Sequence, residues 1–141
     1  MTRIGAVSGA CLLAVWLSAV AGWSDESRRF IQGTIDVRPD LIRHVSPEDR
    51  LVIKLFHPGD GVELDAKYAI LATFTLPVEF RIAPTFDMTG SSKWQSYVVE
   101  VFTDKDADVL SVAPGEILGA TPGPVPLGTT GLAVELDTLR E

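Results

Sequence analysis

Short runs in which every second residue is apolar, each cut off by proline or glycine, set the narrowest limit on what this chain can become. Ile31, Gly33, Ile35 and Val37 alternate with Gln32, Thr34 and Asp36 until Pro39. Leu51, Ile53 and Leu55 alternate with Val52, Lys54 and Phe56 until the turn chemistry of Pro58-Gly59-Asp60-Gly61. Val78, Phe80 and Ile82 share a face between Pro77 and Pro84, Tyr97, Val99 and Val101 alternate with Val98, Glu100 and Phe102, and Leu132, Val134 and Leu136 close the series. A period of two places successive side chains on opposite faces of an extended strand, whereas an amphipathic helix repeats every three to four residues over several turns. Nowhere is the helical pattern sustained over the length that the crossover of a parallel sheet needs. The expected fold is all-β: an antiparallel sandwich of about six to eight short strands, immunoglobulin-like in the broad sense but without the Cys and Trp pin of antibody domains.

The segments between these runs are less regular. Asp40 to Val45 has room for one helical turn with Leu41, Ile42 and Val45 on its apolar side, and Ser46-Pro47-Glu48-Asp49 reads as a turn. Val62 to Leu76 fits both periods; β propensity favours strand in its second half, around Thr73-Phe74-Thr75. Pro77 allows a corner, and Asp87 to Trp94 reads as a loop. Val109 to Val112 is expected to be extended. From Ala113 to Gly131, nine of nineteen residues are Pro or Gly, so the stretch reads mainly as a long connection across the sandwich, with Ile117-Leu118 as a short piece able to pair at an edge.

The N-terminus predicts export. Arg3 precedes an uncharged run containing Leu12, Leu13, Ala14, Val15, Trp16 and Leu17, and Ala19-Val20-Ala21 supplies the small residues that a signal peptidase requires. The chain is therefore expected to divide into a secretory signal helix at 1–21, a flexible lead-in at 22–29 and a β-sandwich domain at 30–139. A periplasmic location follows; the alternative is an uncleaved inner-membrane anchor, since about twenty apolar residues can span a bilayer. Cleavage removes Arg3 but none of the 19 acids, moving the net charge from −7 to −8, and it removes Cys11, the one cysteine. The domain must then be held by its apolar core, which its size permits, and thiol chemistry is excluded from it. The acidic balance argues against nucleic acid, which is met by clustered Lys and Arg. At 141 residues a single domain is expected.

Few residues announce chemistry, and no catalytic, cofactor or metal residue is assigned. Asp104, Asp106 and Asp108 imitate the start of a calcium loop, but the sixth and twelfth positions, where an EF-hand needs Gly and Glu, hold Val109 and Gly115. The run reads as a solvated hairpin tip, with weak calcium binding as the alternative. His44 and His57 are the only histidines, and a zinc or copper site would need a third donor that the sequence does not place. No Gly-x-Ser-x-Gly, phosphate-binding or dinucleotide motif occurs, so the chain reads as non-enzymatic. Exposed strand edges, which take extended peptides by main-chain pairing without any residue motif, are the better binding candidate.

A family resemblance adds to this reading. Ile31-x-Gly33-Thr34-Ile35, Ser46-Pro47-Glu48-Asp49-Arg50-Leu51-Val52-Ile53, Leu76-Pro77-Val78-Glu79-Phe80, Asp87-Met88, Pro114-Gly115-Glu116-Ile117-Leu118-Gly119 and Gly128-Thr129-Thr130-Gly131-Leu132-Ala133-Val134-Glu135-Leu136 follow one another in an order that resembles the C-terminal immunoglobulin-like domain of the cytochrome c-type biogenesis family CycH/CcmI. The resemblance runs through about residues 30–137. It implies a periplasmic β-sandwich that accompanies haem attachment, with apocytochrome or cytochrome c maturation components as protein partners. The helical repeats with which the family is thought to grip apocytochromes have no counterpart in this sequence. The matched residues look structural, Pro47, Pro77, Gly115 and Gly131 setting turns or strand ends and Leu51, Ile53, Val78, Phe80, Leu132 and Val134 filling a core. The functional expectation is a non-enzymatic periplasmic accessory domain acting through protein contacts; the alternative is a small-ligand or metal-ion module for calcium or copper.

Overall fold

The alternating runs become strands of two sheets. The computed structural model describes residues 28–60 and 66–141. Its strands are β1 (Ile31–Val37), β2 (Arg50–Phe56), β3 (Lys67–Leu71), β4 (Val78–Ile82), β5 (Ser96–Asp104), β6 (Ile117–Ala120), β7 (Val125–Pro126), β8 (Leu132–Leu136) and β9 (Thr138–Leu139). The smaller sheet has the order β4-β1-β8, the larger β3-β2-β5-β6-β9, and β7 pairs with β5. The leader at 1–21, lead-in residues 22–27 and the start of the ambiguous segment at 61–65 lie outside the described residues.

Alternation does its work between the sheets. Ile31, Ile35 and Val37 of β1, Phe80 and Ile82 of β4, and Val134 and Leu136 of β8 meet Leu51, Ile53 and Leu55 of β2, Tyr97, Val99 and Val101 of β5, and Ile117 of β6 in one buried cluster. Fully burying each such side chain is worth about 1.5–3 kcal/mol, and the cysteine-free domain depends on their sum.

Among the described residues, the expected antiparallel pattern holds for every strand pair except one. β1 and β8 run parallel, with Gly33 opposite Leu132 and Val37 opposite Leu136. No crossover helix is needed, because nearly the whole domain lies between the two strands and serves as the connection. The backbones come close here: a Cβ on Gly33 would lie 2.0 Å from the Leu132 carbonyl oxygen. A second close approach joins the sheets. After β8 the chain steps into the larger sheet as β9, the Asp137 N–H donates to the Leu118 carbonyl at 3.1 Å, and a Cβ on Gly119 would lie 1.9 Å from the Glu135 carbonyl oxygen. Only glycine allows backbones this near.

Other expectations shift in place. The turn after Pro39 is a 3-10 helix, Pro39–His44, that buries Leu41 and leaves Ile42 exposed. Strand β3 occupies Lys67–Leu71, before Thr73-Phe74-Thr75, because residues 72–77 carry the chain from the larger sheet to the smaller. Strand β6 lies inside its sheet, with β9 beyond it. The outer face of the larger sheet is partly buried as well: along β2 and β5, Val52, Lys54, Val98 and Phe102 are shielded, while Ile70 of β3 and Ala120 of β6 are exposed. Val109 to Val112, expected as an extended segment, instead borders a crevice with Lys54, Glu100 and Phe102 on that face. The last residues of the expected flexible lead-in also touch the domain, the Arg29 guanidinium lying 5.3 Å from the centre of the Phe86 ring.

Candidate functional site

Strands β2 and β5 run side by side from a charged end to an aromatic end. At the charged end Arg50 and Asp104 face each other in register. Arg50 donates through Nε to Asp104 Oδ2 at 2.8 Å and contacts the same oxygen through Nη2. Asp104 belongs to the strand and its side chain is fully buried, whereas Asp106 and Asp108 are exposed in the loop that follows. The solvated tip expected over Asp104 to Asp108 thus begins after Asp104.

Two further buried carboxylates fasten this end. Asp49 accepts the Ser46 N–H at 2.9 Å and the Lys105 ammonium at 2.8 Å. Glu116, wholly buried, accepts the Lys105 N–H at 2.5 Å and the Ala113 N–H at 2.6 Å, so one side chain closes the loop between β5 and β6. Buried ionised groups persist only where partners replace their lost water. One atom breaks that rule: Asp104 Oδ1 is buried and has no hydrogen-bond partner.

The tertiary structure regroups the aspartates that the sequence singled out. One oxygen each from Asp104, Asp106 and Glu116 lie within 4.8 Å of one another. Asp108 turns to its own loop, accepting the Leu110 N–H at 3.0 Å and the Ser111 hydroxyl at 2.9 Å, and these bonds hold its carboxyl below the usual range. Glu116 was missed because it lies twelve residues beyond Asp104 at the head of a different strand; its one available signal was an acid beside Pro114-Gly115 at the start of an apolar run.

The aromatic end is built on different contacts. His57 stacks on Trp94 with ring centres 3.9 Å apart and planes 5° from parallel, and it meets Tyr97 edge-on at 6.4 Å. Its Nδ1 accepts the Gly59 N–H at 2.9 Å, which puts the proton of the neutral ring on Nε2. Tyr97 Oη accepts the Trp94 N–H at 3.2 Å. Beside them the Asp87 carboxylate gathers the Thr89 hydroxyl and the N–H groups of Thr89 and Ser91, which lower its pKa, and the turn so formed leaves Met88 fully exposed. A crevice of about 590 Å³ opens here, with Leu55, Lys67, Phe86, Trp94 and Tyr97 among its walls.

The histidines do not converge on a metal. His44 lies on the 3-10 helix with Arg43 Nε 3.4 Å from its Nε2, and among the described residues neither histidine joins a group of three potential ligands. Among those residues, too, no helix is long and apolar enough to cross a membrane.

No family model matches the chain, and no curated protein does. A solved structure to which it is similar is an alternative pilotin from the type II secretion system of Vibrio cholerae, at 15% identity and a TM-score of 0.46, covering 79% of this chain and 97% of that one.

Proposed function

We propose that this chain is a non-enzymatic accessory domain of the periplasm, an immunoglobulin-like sandwich that holds an extended segment of a protein partner. The observation that carries this reading is the position of β3. Among the described residues it pairs only with β2, so its other side is a sheet edge; its first residue, Lys67, lines the aromatic crevice, and Ile70 is 45% exposed. An edge strand offers unpaired main-chain groups to an incoming strand, and an adjoining pocket adds side-chain selectivity. Phe86 and Trp94 supply rigid aromatic surface of the kind that anchors protein interfaces, backed by the buried Tyr97.

The resemblance to the CycH/CcmI domain points this activity at cytochrome c maturation. An apocytochrome before haem attachment is unfolded and offers extended main chain, the form that an edge strand accepts. The buried carboxylates suit a scaffold, since Asp49 and Glu116 are engaged in closing turns and loops rather than facing the crevice.

A purified apocytochrome titrated into the secreted chain should change the fluorescence of Trp94, and Ile70→Asp should weaken that binding about tenfold or more. A strain lacking the gene should attach less haem to its c-type cytochromes. Normal haem attachment in that strain, together with no apocytochrome binding, would sink the proposal. Mass spectrometry of the mature N-terminus tests the export step, and an intact Met1 would favour the membrane anchor.

A further inference from the structure

We propose that Asp104, Asp106 and Glu116 form a calcium site at the charged end, independent of the binding role assigned to β3. The argument starts from the buried oxygen without a donor. Leaving a buried acceptor unsatisfied costs about 1–3 kcal/mol, more when the group is charged. Arg50 takes Asp104 Oδ2, which leaves the buried Oδ1 free to act as a ligand. Arg50 pairs with Asp104, while the Lys105 ammonium is directed to Asp49. Three carboxylates with oxygens within 4.8 Å of one another concentrate negative charge that a dication would offset.

The donor set selects the ion. All the ligands are hard carboxylate oxygens, with neither His nor Cys among them, which disfavours copper and zinc. Calcium ligands lie about 2.3–2.6 Å from the ion, so two on opposite sides are about 5 Å apart, and a group within 4.8 Å fits around one ion. Magnesium demands a near-ideal octahedron at about 2.0–2.1 Å and sheds its water reluctantly, so calcium is the expected ion. Glu116 already accepts two N–H groups and Asp106 one from Asp108, but each carboxylate oxygen keeps a second lone pair, and water completes the shell. The Arg50 charge beside the site lowers affinity, placing it with weak extracellular calcium modules, whose Kd is about 0.1–1 mM.

Asp106→Asn is the informative variant. The residue is exposed, and an amide oxygen can still accept the Asp108 N–H, so the loop keeps its shape. The secreted chain, stripped with a chelator, should bind CaCl2 in calorimetry with a Kd of about 0.1–1 mM, and 10 mM calcium should raise its Tm by about 5 °C. Asp106→Asn should weaken binding at least about fivefold, while Asp108→Asn should leave it unchanged because Asp108 is committed to Leu110 and Ser111. The inference fails if the native chain gives neither heat nor a Tm shift at 10 mM, if Asp108→Asn weakens binding as much as Asp106→Asn, or if magnesium binds as tightly as calcium.

Discussion

The two ends of β2 and β5 are held by opposite means. At one end Arg50, Asp104, Asp49, Lys105 and Glu116 lock the loops through ions and main-chain hydrogen bonds. At the other, His57, Trp94 and Tyr97 stack around an open crevice. Directional bonds to buried charges define geometry closely but leave a large penalty when one partner is lost. Ring stacking is less directional and tolerates rearrangement, which suits a surface that must accept a partner. The same pair of strands therefore has one end built for rigidity and one built for adaptation.

The sharpest way to break the comparison is to remove what both ends share. Gly119→Val should destabilise the whole domain by at least about 3 kcal/mol, because the new Cβ has no room beside the Glu135 carbonyl. Urea unfolding followed by intrinsic fluorescence would register it as loss of the cooperative transition or a much lower midpoint. Next in size comes the charged end. Arg50→Met leaves the buried Asp104 without its cation and should cost about 2–3 kcal/mol, below the full figure for a buried pair because Arg50 is 32% exposed and screened by solvent. Glu116→Ala should cost about 2 kcal/mol by stranding the N–H groups of Lys105 and Ala113, with hydrogen exchange rising at those two amides.

The aromatic end should prove more forgiving. His57→Ala removes a stacked ring and should cost only about 1 kcal/mol, while changing Trp94 emission and leaving exchange in the loop between β5 and β6 untouched. If it cost more than Glu116→Ala, the contrast between the ends would fall. The smallest effect is one that the ends share. Asp87 and Asp108 each have a pKa held below the ordinary 3.8 by local hydrogen bonds. A carboxylate whose folded value is lowered contributes stability that is complete above its unfolded value and is lost as pH falls through the folded one. Hydrogen exchange should thus loosen at Ser91 and Leu110 together below pH 4, and Asp87→Asn or Asp108→Asn should flatten that dependence in its own loop alone.

How much of this could be read from the chain depends on distance along it. The inward positions of β1, β4, β5 and β8 were legible, since Ile31, Phe80, Val99 and Val134 each belong to an alternation contained in their own segment. The outward positions carried less. The alternation does not say what covers Val52 and Phe102, and both are buried on the outer face of their sheet. The three aspartates were noticed for their spacing, but spacing counts residues in a single run, and Asp108 spends its carboxylate on its immediate neighbours. Glu116 took the third place because β6 returns beside β5, a pairing that carries no local signature.

What the residues determined alone was which stretches are extended and which of their faces is apolar, because a period of two is imposed by the geometry of each strand by itself. Tertiary structure decided the rest: that the first and last long strands lie parallel, that Gly33 and Gly119 stand where backbones meet, that Val52 and Phe102 are buried on the outer face of the larger sheet, and that Asp104 and Asp106 are joined by Glu116. Each of these depends on contacts between residues far apart in the chain, whose free energy exists only once the sheets have closed on one another.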